Sequence, residues 1–228
     1  MPNNTPKNNL LAQALGKFAL GVVLVSLLIF LPAGSLSYWQ GWLLMGILFA
    51  PMFVAGIVML ARAPNLLQSR LETRESDGAQ RKVVAASGLM FITGFVLAGL
   101  GHRFEWAMFP WWASILGAVV FLCTYALYAE VLRENAYLSR TIGVQEGQNL
   151  IDTGLYSFVR HPMYSATLIL FLAIPFVLGS PFAVPVFLLY APIIITRIKH
   201  EERVLVRDLA GYKEYRTRVR WRLIPGVW

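Results

Sequence analysis

The chain has 228 residues, 57% of them hydrophobic and only 14% charged, with a formal net charge of +8. Soluble domains run nearer roughly 45–50% apolar and about 25% charged. That balance argues against a water-soluble enzyme or a disordered chain, and a lone Cys123 rules out an internal disulfide scaffold.

Hydrophobic runs then follow in order. A bilayer core takes about 20 helical residues to cross. The first run, Phe18 to Pro32, follows a polar start from Pro2 to Gln13, with Lys17 at its edge. It reads as a retained helix and not a cleaved leader, because Tyr38-Trp39-Gln40-Gly41-Trp42 leads straight into another span. The second run is Trp39 to Ala61, the third Val83 to Gly101 and the fourth Phe109 to Tyr128. Trp39, Trp42, Trp106, Trp111 and Trp112 stand at span entries, as an interfacial aromatic belt requires. Pro162 to Thr196 is a long uncharged stretch cut by Gly179-Ser180-Pro181, which predicts a hairpin of two short helices.

Loop charge sets the expected orientation. The Gly34–Ser37 loop has no Lys or Arg, whereas Arg62, Arg70, Arg74, Arg81 and Lys82 fall in the next one. Arg103 stands alone between the third and fourth spans, and Arg133, Arg140 and Arg160 precede the hairpin. The tail from Arg197 carries nine basic residues against Glu201, Glu202, Asp208 and Glu214. This alternation predicts both termini, the Arg62–Lys82 loop and the tail on the cytoplasmic side. The fold class expected is all-α: a polytopic membrane bundle of four long spans, a C-terminal helical hairpin and an amphipathic cytoplasmic tail helix. Residues 1–228 form one integral membrane domain. The lipid bilayer is the partner of the basic tail, and the positive-inside rule leaves nucleic acid with no role.

Within the tail, Ile198, Leu205, Leu209, Tyr212 and Val219 mark one apolar helical face. Glu201 falls on it, one turn after Arg197, and the simplest account is an i,i+4 ion pair. The most polar stretch between spans runs from Arg133 through Glu134, Asn135, Tyr137, Ser139, Arg140 and Thr141 to Tyr156, then Arg160-His161-Pro162-Met163-Tyr164. A plain structural account has Pro162 starting a helix, Arg160 snorkelling and His161 capping. His102, His161 and His200 lack metal-ligand spacing, so no metal site is expected. No P-loop, GxGxxG or GxSxG occurs.

Taken together, the Leu150-x-x-x-Gly154-x-Tyr156 lead-in, the Arg160-His161-Pro162-x-Tyr164 block, the hairpin, Glu201-Glu202-x-x-Leu205 and Tyr212-x-x-Tyr215 resemble the isoprenylcysteine carboxyl methyltransferase family and its phospholipid N-methyltransferase relatives. The resemblance covers residues 130–225, which makes that part the cofactor-binding and catalytic one and leaves 1–129 as less specific spans. It implies an integral membrane, multi-pass methyltransferase that uses S-adenosyl-L-methionine at the cytoplasmic surface and methylates the carboxylate of a lipid-like or prenylated substrate. It also implies cofactor contacts from Gln148, Asn149, Leu150, Ile151, Tyr156, His161, Pro162, Met163, Tyr164 and Glu201, with Arg197 as the catalytic, substrate-carboxylate residue. Gln148 stands where eukaryotic members usually have His, and Ala166 where Gly is usual. Phospholipid N-methylation is the alternative, with Glu202 or Glu134 as its only plausible base. A sterol-type, NADPH-dependent membrane reductase is a further one.

Overall fold

The computed structural model describes residues 7–71, 78–135, 137–138, 143–144 and 147–228. Residues Pro2 to Pro6 of the polar start, Arg74, and Ser139, Arg140 and Thr141 of the polar segment lie outside them. Among the described residues there is no strand. Nine α-helices follow in order: α1 Lys7–Ala33, α2 Trp39–Arg62, α3 Pro64–Leu71, α4 Gly78–Arg103, α5 Trp111–Glu134, α6 Pro162–Val177, α7 Val184–Leu188, α8 Tyr190–Asp208 and α9 Tyr212–Arg218.

Five stretches are long and apolar enough to cross a membrane: Asn9–Ala33, Trp39–Arg62, Arg81–Arg103, Trp111–Glu134 and Pro181–Asp208. Helix α6 is a shorter apolar helix of 16 residues, or about 24 Å at 1.5 Å per residue. The chain is thus a multi-pass membrane protein. Its outward faces carry the side chains that lipid would solvate, among them Leu20, Leu27, Ile57, Leu89 and Leu116. Trp39 and Trp42 at the start of α2, and Trp111 and Trp112 at the start of α5, are all exposed, as expected of ring systems at a membrane interface.

Three boundaries differ from the sequence reading. Helix α1 begins at Lys7 and not near Phe18, so Lys17 lies well inside it, where its ammonium donates to the Leu71 carbonyl at the end of α3. Helix α3 itself falls within the expected Arg62–Lys82 loop. Pro64 occupies its first turn, where a missing N–H costs nothing, and buried Leu67 anchors it. Third, the hairpin's second arm and the tail are one structure. Nothing between Ile193 and Asp208 interrupts the backbone ladder, so α8 runs from the apolar arm through Arg197 into the charged tail. The helix stops at Leu209, and a turn at Gly211 (φ 78°) redirects the chain into α9. Ile198 and Tyr212 therefore face different clusters and not one continuous stripe.

The main core lies where α1, α2, α4, α6 and α8 converge, around Ile29, Tyr38, Leu44, Phe95, Val177, Phe187 and Ile194. Close helix approach is built in. A Cβ at Gly99 of α4 would stand 2.6 Å from the Ile29 carbonyl oxygen of α1, so only glycine lets the two backbones meet there. At the Trp-bearing end, the buried Tyr38 hydroxyl donates to the Leu178 carbonyl at 2.5 Å and its ring stacks on His102, 4.4 Å between centroids. That contact ties the α1–α2 turn to the turn of the hairpin. The opposite end of the hairpin is left to carry the polar residues.

Candidate active site

The N-terminus of α6 is fixed by partners from far along the chain. Arg160 N–H donates to the Trp221 carbonyl (2.9 Å) and His161 N–H to the Arg222 carbonyl (3.0 Å). Arg160 is only 6% exposed. Its Nε donates to Glu202 Oε1 (2.7 Å) and its Nη1 to the carbonyls of Val219 (2.7 Å) and Arg220 (3.0 Å). The other oxygen of Glu202 accepts from Arg222 Nε at 2.9 Å. Two guanidinium groups and three backbone partners thus compensate a buried carboxylate that would otherwise be costly to desolvate. Arg160 does not snorkel, and His161 makes no side-chain cap. Its Nε2 lies 3.4 Å from Glu202 Oε1 yet forms no hydrogen bond.

Glu202, not Glu201, is the deeply buried acid of the pair, at 5% exposure. Tyr190, Ile194, Ile198 and Glu202 repeat every four residues along the buried face of α8. Arg197, Glu201 and Leu205 form the neighbouring stripe, and this one lines a cleft. The i,i+4 spacing was legible from the sequence, but the choice of stripe was not.

The cleft opens between the irregular strip before Tyr156, the start of α6, and helices α8 and α9. Gln148, Asn149, Leu150, Ile151, Tyr156, His161, Met163, Tyr164, Arg197 and Glu201 all line it. Pro162 does not; it is buried in the first turn of α6. Asn135, Leu205, Leu209, Tyr212 and Tyr215 complete the wall. At its centre the Tyr164 hydroxyl accepts from Arg197 Nε at 2.9 Å and donates to Glu201 Oε2 at 2.5 Å. The one-turn pair is therefore bridged by a phenol from another helix. Arg197 also lies 5.9 Å from the Tyr164 ring centroid, and the rings of His161 and Tyr164 stack at 5.7 Å.

On the opposite wall, Asn135 Nδ2 donates to the Tyr156 hydroxyl (3.0 Å) and the Tyr215 hydroxyl donates to the Tyr156 carbonyl (2.7 Å). Burial pushes the Tyr156 hydroxyl up to about 12, against the opposing effect of the Asn135 hydrogen bond. Burial, and then the charge of Glu202, also raise Tyr212. Both phenols stay protonated at neutral pH and can donate. The 3-10 turn Gly154–Ser157 that presents Tyr156 is capped from α5, where both oxygens of Glu134 accept from Leu155 N–H at 3.2 and 2.9 Å. Gly154 has φ 55°, and a Cβ there would run into the Glu134 carboxylate. Buried and without a hydrogen-bond partner are Tyr212 Oη and His161 Nε2, both on residues of the cleft. No cluster of His, Cys, Asp or Glu suited to a metal ion occurs among the described residues.

Residues 112–210 match the family model described as phospholipid methyltransferase. Across that stretch, from the first turn of α5 to the end of α8, the chain belongs to this family of membrane methyltransferases, which is related to the isoprenylcysteine carboxyl methyltransferases. No curated protein matches the chain. Most of the cleft falls inside the matched stretch, while Tyr212, Tyr215 and the Glu202 partner Arg222 lie beyond it.

Proposed function

We propose that the protein transfers a methyl group from S-adenosyl-L-methionine to the carboxylate of a lipid-like acid, in a cleft that faces the cytoplasm. Residues 130–225 supply the site, and the spans before them carry it in the bilayer. The observation behind this reading is the Arg197–Tyr164–Glu201 chain, which sets a cation and an anion on either side of one phenol within a single cleft.

The residues present suit the cofactor. It brings a sulfonium-activated methyl group, an ammonium, a ribose and a flat purine. Glu201 can balance positive charge, and Tyr156 and Tyr164 offer ring faces that attract a cation by about 0.5–2 kcal/mol. The unpartnered Tyr212 hydroxyl and His161 Nε2 call for a polar ligand. Gln148 and Asn149 add amide donors and acceptors, while Leu150, Ile151, Met163 and Leu205 exclude water. Pro162 acts from behind by fixing the start of α6.

Arg197 is suited to hold a carboxylate bidentately. A carboxylate arrives ionised at neutral pH, so the chain need provide orientation and charge control but no base. N-methylation of an ammonium needs a base, and the two acids open to that role are engaged elsewhere. Both oxygens of Glu202 are bound by arginines, and both of Glu134 face the Leu155 amide. This favours the carboxylate acceptor.

The test uses protein in nanodiscs with methyl-labelled S-adenosylmethionine, offered either a prenylated thioether acid or phosphatidylethanolamine. Label released as methanol by mild alkali is the ester expected. Alkali-stable label in phosphatidylethanolamine would transfer the assignment to N-methylation. Binding of NADPH in place of S-adenosylhomocysteine would overturn both.

A further inference from the structure

A second arginine reaches the same mouth from the other half of the protein. Arg70 sits in the last turn of α3, outside the matched residues. Its Nη2 is 3.9 Å from the Met163 sulfur and its guanidinium 5.8 Å from the Tyr128 ring centroid of α5. Its Nε is buried with no hydrogen-bond partner. Among the described residues no carboxylate pairs with it.

That is an unusual setting for a permanent cation. A thioether is a weak acceptor, and an aromatic face at that range offsets little of the cost of removing a guanidinium from water. Arg160 shows what a structural arginine looks like here: a buried acid on Nε and two carbonyls on Nη1. Arg70 has the enclosure without the anion. Its location is equally specific. Met163 and Tyr164 are consecutive residues of the cleft wall, and each carries an arginine, Arg70 on the thioether and Arg197 on the phenol. Arg70 comes from the spanning side, on a helix held between α2 and the Lys17 side chain of α1.

We propose that Arg70 is a specificity-determining residue that holds an anionic group, carboxylate or phosphate, on an amphiphile entering the cleft beside Met163. This rests on the cleft being the methyl-transfer site and adds to it a second cation for the acceptor, separate from Arg197. Arg70 acts on binding of the acceptor, so its loss raises KM for an anionic acceptor and leaves kcat little changed.

The experiment measures equilibrium binding of oleate, dodecyl phosphate and dodecanol to the protein in phosphatidylcholine nanodiscs, with S-adenosylhomocysteine as control. R70M should weaken at least one of the two anions about tenfold, the loss of one charge-assisted contact. Dodecanol and S-adenosylhomocysteine should bind as before, and R70K should recover most of the anion affinity. A loss confined to oleate assigns the group to a carboxylate, and one confined to dodecyl phosphate to a phosphate. Unchanged affinity for both anions, or an equal loss for dodecanol, overturns the proposal. R70Q carries the same comparison should R70M lose S-adenosylhomocysteine binding through misfolding. Failure of the unaltered protein to bind S-adenosylhomocysteine would remove the methyl-transfer reading, while the anion-against-alcohol comparison would still decide the role of Arg70.

Discussion

The Tyr164 hydroxyl accepts from Arg197 and donates to Glu201, so the two charges are held in fixed relation by a group that belongs to neither helix turn. A simple i,i+4 pair on a solvated helix contributes only a few tenths of a kcal/mol and imposes little geometry. A phenol anchored in α6 gives both side chains one preferred position. The roles proposed for the ends of this chain differ. Arg197→Ala should lower turnover at least about a hundredfold, the scale of losing a donor that stabilises reacting charge. S-Adenosylhomocysteine affinity should change by less than about threefold, measured by titration calorimetry. Equal loss of both would move Arg197 from the acceptor to the cofactor. Arg197 and Glu201 were legible as a pair from spacing and position in a polar tail. Their bridging partner was not, because a contact between α6 and α8 leaves no local pattern in the sequence.

Elements arrange the cleft by capping one another. The last residue of α5 caps the 3-10 turn that presents Tyr156, and the space for the Glu134 carboxylate is the space a side chain at residue 154 would fill. Gly154→Ala should therefore destabilise the protein by about 1–3 kcal/mol from its left-handed backbone alone, with a further cost from the displaced acid. Adding Glu134→Ala should recover that second part, so thermal unfolding of the single and double variants should be non-additive. Additive effects would show that acid and glycine are independent. The spans themselves were readable, since long apolar runs and entry tryptophans carry their own signal. Helix α3 was not, because eight residues show too few turns for a period to emerge. The tail was misread at one point for a related reason: apolar spacing cannot distinguish a continuous helix from one that turns at Gly211.

At the scale of the molecule, polar residues gather at the end of the bundle opposite the exposed tryptophans, and the positive-inside pattern assigns that end to the cytoplasm. The assignment can be checked in a Cys123→Ala background. A cysteine at Leu36, in the exposed α1–α2 turn, should react with a membrane-impermeant maleimide on intact cells. One at Lys213 in α9 should react only after permeabilisation. The reverse pattern would invert the protein and put the cleft on the far side.

The pairing of Arg160 and His161 with Trp221 and Arg222 also bears on the order in which the molecule can be made. Every spanning stretch precedes Val219 in the chain, so the bundle can be inserted before the Val219–Arg222 segment exists. Until it arrives, Arg160 lacks its Val219 and Arg220 carbonyls and Glu202 has one guanidinium instead of two. Insertion and assembly of the cleft are therefore separate events, with the second waiting on a segment that never enters the bilayer. A nascent chain in the membrane has its spans in place before it can acquire a finished site.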